Sequence, residues 1–259
     1  MSRPKIPDRL HNRLRALSSS LASRADALGL LALGSVGEET ERADAYSDLD
    51  FFVIVRAGAK PGYLADLDWL AAAHPLAWVF RNTDDGYKAV MADGLLCEFA
   101  VFEPQQLAGV AYAPGRWMWR RDCADAELAG VEAQARVPLP QVRPDEWLVG
   151  EALSNLLVGM LRYRRGEHLA AMRMVQVYAL DRVLEWIDRH EAPVAGVRRD
   201  PFNADRRFEA RHPHRTADLA AWTPGLAGTP QAALALLAQL ESMTKLPPVV
   251  TQQIRDLAL

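Results

Sequence analysis

The apolar pattern of this chain changes character once, across the proline-rich stretch Pro138 to Pro144, and that change constrains the fold more than any other feature. Upstream, short apolar runs such as Leu30 to Leu33 and Leu49 to Val55 are closed by turns rich in glycine or polar residues, as expected of strands mixed with helices. Downstream, Trp147 to Leu161 and Leu169 to Ile187 carry long helical patterns separated only by Arg165-Gly166-Glu167, a break short enough to predict an antiparallel pair. The predicted class is α+β: a mixed β-sheet with flanking helices over residues 1–139, then an all-α helical bundle over residues 140–259.

Finer patterning fills in these halves. Leu10, Leu14, Leu17 and Leu21 recur at helical spacing, so a helix is predicted within Pro7 to Ala27. Gly29 interrupts the pattern, and the strand Leu30 to Leu33 stops at Gly34-Ser35. A helix over Leu64 to Ala73 and a strand at Trp78-Val79-Phe80 follow. Tyr87 to Met91 and Leu95 to Phe102 flank Ala92-Asp93-Gly94, a hairpin signal. Alternation puts Glu98 on one face with Leu96 and Ala100, and Cys97, Phe99 and Val101 on the other. Phe202 to Arg211, Gln231 to Met243 and Val249 to Leu259 complete the helical half.

Composition narrows the function classes. With 50% hydrophobic and 24% charged residues the chain has the make-up of a globular protein, and its net charge of -3 gives no drive toward nucleic acid or anionic membrane. Met1 to Arg15 lacks the apolar core of a signal peptide, and no apolar run approaches the roughly 20 residues that span a bilayer. Cys97 and Cys123 have no spacing that suits zinc or a disulfide framework. A soluble, cytoplasmic protein with neither membrane nor nucleic-acid partners is expected, and a two-lobed chain with several tryptophans is compatible with a homodimer.

The chemistry concentrates in one segment: an apolar strand, Gly34-Ser35, twelve residues, then Asp48-Leu49-Asp50 opening a second strand. Carboxylates at i and i+2 of an extended chain project to the same side and can share one small cation or a pair. A Gly-Ser turn offers close backbone approach, free N–H groups and a hydroxyl to a phosphate. Together these predict a magnesium-triphosphate site. The triplet alone means little, because 19 aspartates give about 1.4 such triplets by chance and the chain has two. Asp66-Leu67-Asp68 serves as the control: it lies in helical sequence without the turn or the following strand, and reads as solvated surface.

The segment Leu33-Gly34-Ser35 through Tyr46-Ser47-Asp48-Leu49-Asp50-Phe51 resembles the signature of the DNA polymerase β-like nucleotidyltransferase superfamily, specifically its aminoglycoside and lincosamide nucleotidyltransferase branch. The resemblance is strong over Leu30 to Glu103 and looser at Arg165-Gly166-Glu167 and Arg206-Arg207-Phe208-Glu209. It implies a nucleotidyltransferase fold, one or two Mg²⁺ ions, ATP or another nucleoside triphosphate as donor, and a hydroxyl of a small molecule, such as an antibiotic, as acceptor. It also implies a third carboxylate on a later strand. Glu98 is the natural candidate, as metal ligand or general base, and a glutamate among apolar strand residues favours a functional role. Glu103, at the strand end, ranks below it. Where this branch often has a basic residue after Gly-Ser, the chain has Gly37-Glu38-Glu39, so Arg42 stands as the substitute near the triphosphate.

Other features carry competing readings. Arg173 and Gln176 interrupt an apolar helix and would meet either a nucleotide or another side chain. The basic, aromatic stretch Gly115 to Arg121 reads as an interdomain segment with packed tryptophans and solvated arginines, or as part of an acceptor pocket. His212-Pro213-His214 lacks a clear third ligand, and no role is assigned to it. A protein-modifying or antitoxin-like member of the superfamily and a housekeeping metabolite transferase are the alternatives to an antibiotic-modifying enzyme.

Overall fold

A computed structural model describes residues 7–122, 124–131, 135–137, 142–200 and 203–259. Cys123, part of the proline-rich boundary and the Phe202 end of an expected helix lie outside them. The chain divides into two compact units, Met1–Pro138 and Leu139–Leu259.

The first unit is a six-stranded mixed sheet. Its elements run α1 (Asp8–Ala22), β1 (Ala27–Ala32), β2 (Leu49–Val55), α2 (Lys60–Ala65), α3 (Asp68–Ala71), β3 (Leu76–Arg81), β4 (Gly86–Met91), β5 (Leu96–Phe102), β6 (Arg116–Arg120) and α4 (Asp125–Leu128). The strand order is β3-β4-β5-β2-β1-β6, with β2 and β5 parallel and the other neighbours antiparallel. On one face, Leu10, Leu14, Leu17 and Leu21 of α1 pack with Leu49, Phe51, Val53, Cys97, Phe99 and Val101. Each of those leucines is almost fully buried, a contribution of about 1.5–3 kcal/mol apiece from apolar area alone. On the opposite face Leu28, Leu31, Ile54, Phe102, Leu107 and Tyr112 form a second, smaller core.

Three sequence readings change here. Gly29 lies inside β1 instead of breaking it, because a Cβ there would sit 2.5 Å from a ring carbon of Trp117 on β6. The glycine admits an indole, which strand periodicity alone does not reveal. Residues 116–120, expected as an interdomain segment, form an edge strand along β1. Trp117 and Trp119 pack toward opposite cores of the sheet, Arg120 and Arg121 lie over those two rings in turn, and Arg121 Nε donates to the Ala27 carbonyl at 2.6 Å. The expected helix over Leu64 to Ala73 is two short helices, α2 and α3.

The second unit is all helical: α5 (Asp145–Arg164), α6 (His168–Arg173), a π-helical turn at Met174–Ala179, α7 (Leu180–His190), α8 (Phe208–Arg211), α9 (Thr216–Trp222), α10 (Thr229–Met243) and α11 (Pro248–Ala258). Leu156, Met160, Val175, Val183, Leu184, Ile187, Phe208, Leu236 and Leu240 share its core. Gly159 lets α5 approach the π turn closely, since a Cβ there would lie 2.7 Å from Val175. The helix expected over Phe202 to Arg211 is confined to Phe208–Arg211, because Arg207 before it takes a left-handed backbone at φ 62°. Among the described residues no helix is long and apolar enough to cross a membrane.

Candidate active site

Strand β2 is bounded by the features that position its acidic residues. Asp48 immediately precedes it and Asp50 is its second residue, while Leu49 between them is fully buried in the α1-side core. Asp50 therefore falls on the opposite face, in line with Phe52 and Ile54. In the parallel pairing of β2 with β5, Leu49 is opposite Cys97 and Asp50 is opposite Glu98. Residues in register on neighbouring strands share a face, so the sheet brings Asp50 and Glu98 side by side.

The Gly34-Ser35 turn closes the same corner. Gly34–Val36 is a single 3₁₀ turn directly after β1, anchored by the Leu33 amide donating to the Asp50 carbonyl at 2.8 Å. Gly34 has φ 54°, and a Cβ on it would stand 3.0 Å from Asp50 Oδ2. Glycine is required there twice over, by the left-handed backbone and by the closeness of the carboxylate. The first amides of such a turn have no partner within it, which leaves them available to an anion.

Glu98 is half-buried and already engaged. Lys88 Nζ lies 3.1 Å from Oε2, and Asn82 Nδ2 donates to Oε1 at 3.1 Å. The buried Asn82 Oδ1 has no partner. The hairpin turn at Asp93-Gly94 sets Lys88 opposite Glu98, a pairing that the strand pattern alone does not mark as functional. Asn82 sits between β3 and β4, and nothing in its local sequence points to the site.

Cys97 faces the other way. Burial pushes its thiol up to about 12, and the charges of Asp93, Asp48 and Asp50 add to the effect of burial while Arg13 opposes it. It is neither a nucleophile nor a thiolate ligand at neutral pH.

The remaining candidates separate clearly. Arg42, at the end of the short 3₁₀ turn Thr40–Arg42, is ion-paired with Glu39, and its buried Nε has no partner. A different arginine touches the Gly-Ser turn: Arg116, the first residue of β6, donates from Nη2 to the Val36 carbonyl at 3.1 Å. Glu103 caps a 3₁₀ turn over Pro104–Gly109 and accepts the Gly58 amide at 2.7 Å, a structural duty at the far end of β5. In the control triplet, Asp66 accepts the Asp68 amide at 2.9 Å and Asp68 pairs with Arg24.

Arg173 and Gln176 belong to the second unit. Arg173 is exposed, its guanidinium over the Tyr178 ring. Gln176, buried in the π turn, is satisfied by Gly225 and Thr229: its amide donates to the Gly225 carbonyl at 2.8 Å and its carbonyl accepts the Gly225 amide at 3.0 Å.

No protein-family model matches the sequence, and no curated protein matches it. Among solved structures, the chain is similar to an aminoglycoside 6-adenyltransferase from Bacillus subtilis, with 10% identity over 95% of this chain and 90% of that one. The TM-score of 0.33 gives that likeness no weight for function.

Proposed function

We propose that the chain is a nucleotidyltransferase that moves a nucleoside monophosphate, AMP from ATP in the first instance, onto a hydroxyl of a small molecule and releases pyrophosphate. The observation that carries this reading is the register that sets Asp50 beside Glu98, with Asp48 two residues earlier, against the glycine turn. Asp50 and Glu98 in register, with Asp48 two residues earlier, offer hard oxygen donors on one stretch of the sheet, and such donors suit Mg²⁺. Asp48 and Asp50, joined by Glu98, would hold one or two such ions. When bound, the metal supplies charge neutralisation of the triphosphate and of the pyrophosphate that leaves.

The chain's own residues do the rest. The amides of the Gly34-Ser35 turn and the Ser35 hydroxyl receive the triphosphate, with Arg116 as the cation beside that turn. As the acceptor oxygen attacks the α-phosphorus, the bond to pyrophosphate breaks and the hydroxyl proton passes to the Glu98 carboxylate, either directly or through water. Lys88 and Asn82 orient that carboxylate. Glu98 serves as base in this scheme and as third ligand where its Lys88 contact opens. Arg42 and Arg173 remain secondary candidates for the nucleotide.

The test is pyrophosphate release from each nucleoside triphosphate with Mg²⁺, run over panels of aminoglycosides, lincosamides and hydroxylated metabolites, with mass spectrometry of the acceptor. Turnover of one acceptor, lost in Asp48→Ala and Asp50→Ala, is the expected result. Absence of turnover with every acceptor and nucleotide, together with unchanged biological effect in both variants, overturns the reading.

A further inference from the structure

A second cluster with the chemistry of a metal site lies in the helical unit. Glu191, directly after α7, and His212 and His214, around Pro213, each offer a ligand atom, and these atoms lie within 4.8 Å of one another. The His-Pro-His sequence lacked only its third ligand, and the fold supplies it from another part of the chain.

His212 is fully buried, stacked at a tilt on Phe208, with its Nε2 3.0 Å from Asp188 Oδ1. Its Nδ1 is buried without any partner. A histidine that gives one ring N–H to a carboxylate and keeps the other nitrogen's lone pair unused is oriented as metal-binding histidines are. An unpartnered buried acceptor is otherwise costly. Asp188 is itself fixed by Arg199 and by two bonds from Arg211, so it stays in place as the orienting group.

Glu191 and His214 are placed to complete the set. His214 Nε2 lies 2.8 Å from Glu191 Oε2, and Arg215 binds both oxygens of Glu191. Arg215 is the one cation that faces the cluster from its own turn; it also bonds Asp218 at 2.9 Å, so part of its charge is already met. Oε2 thus meets both His214 and Arg215 Nε, while Oε1 meets Arg215 alone. Tetrahedral zinc needs ligand atoms about 3.3 Å apart, so the cluster would contract from its 4.8 Å limit on binding, with His214, more than half exposed, the least confined of the three.

We propose that Glu191, His212 and His214 bind one Zn²⁺ ion, with water in the fourth position, as a clip between the end of α7 and the 212–215 turn. Two imidazoles and a carboxylate are a borderline donor set that suits zinc over magnesium or calcium. This site is independent of nucleotidyl transfer.

The experiment is calorimetric titration of untagged, chelator-treated full-length protein with Zn²⁺, paired with the visible spectrum on adding Co²⁺. One site per chain with a dissociation constant below about 10 µM is expected, together with a tetrahedral Co²⁺ band. Because His214 is exposed, His214→Ala keeps the fold by circular dichroism, and it should weaken binding at least tenfold, as should Glu191→Gln. Absence of stoichiometric uptake, or uptake unchanged in His214→Ala, overturns the proposal.

Discussion

Asp48 and Asp50 lie two residues apart at the start of β2, a local relation, whereas Glu98 comes beside Asp50 only because β5 returns next to β2 in parallel register. Asp50→Asn keeps size but removes charge, so nucleotidyl transfer should fall by about 10³-fold or more while a cooperative melt is retained. Single-turnover kinetics beside a thermal melt check both halves of that expectation. Gly34→Ala makes a different claim. A left-handed backbone costs a non-glycine residue about 1–2 kcal/mol, and the new methyl would also press on Asp50 Oδ2 at 3.0 Å. Lower stability in denaturant and a raised KM for the nucleotide are expected together; a stability loss with unchanged KM would detach the turn from the nucleotide. The strands that carry Asp50 and Glu98 were legible in sequence because their periods are local, and Lys88 was within reach by counting back from the hairpin turn. Arg116, Asn82 and the closeness of Glu191 to the His212-Pro213-His214 turn were not, since each meets its neighbours through tertiary packing that no spacing encodes.

At the level of elements, β2, the β4–β5 hairpin and α1 follow the sequence closely, because each has a clean period and an unambiguous turn. Two of the misreadings lie where a glycine or a tryptophan serves a neighbour. Gly29 looked like a stop, and Gly29→Ala should loosen β1 from β6 by about 2 kcal/mol, as Trp117 has to move aside. The α1-to-hairpin junction makes a pH-dependent prediction. Asp93 is desolvated, which would raise its pKa, but hydrogen bonds from Arg9 and the Leu95 amide and the charge of Arg13 outweigh that and hold it down to about 2. A carboxyl whose folded pKa lies below its unfolded value of about 3.9 stabilises fully above that value and loses the benefit as pH falls toward 2. For a side chain about one-third exposed, solvent screening leaves roughly 1 kcal/mol. Asp93→Asn should lower stability by that amount at pH 6 and flatten the decline between pH 4 and 2, as followed by urea unfolding. An unchanged acid profile would assign the junction's strength to apolar packing alone.

For the whole molecule, the change in apolar pattern at the proline-rich stretch corresponds to separate cores: one around each face of the sheet, and another among the helices. None of the buried residues that define one core belongs to another, so each unit has its own cooperative source of stability. Ligands that bind one folded unit stabilise it by RT ln(1 + [L]/Kd), about 2.7 kcal/mol at a hundredfold excess over Kd. Calorimetry of the full chain should therefore resolve two transitions, of which Mg²⁺ with a nucleoside triphosphate raises one and Zn²⁺ raises the other. Asp50→Asn should abolish the first shift and spare the second, while His214→Ala does the reverse. A single transition moved by both ligands would mean that the sheet and the helices unfold as one unit. Two transitions of which neither ligand moves its own would remove the functional reading of both clusters while leaving the division of the chain intact.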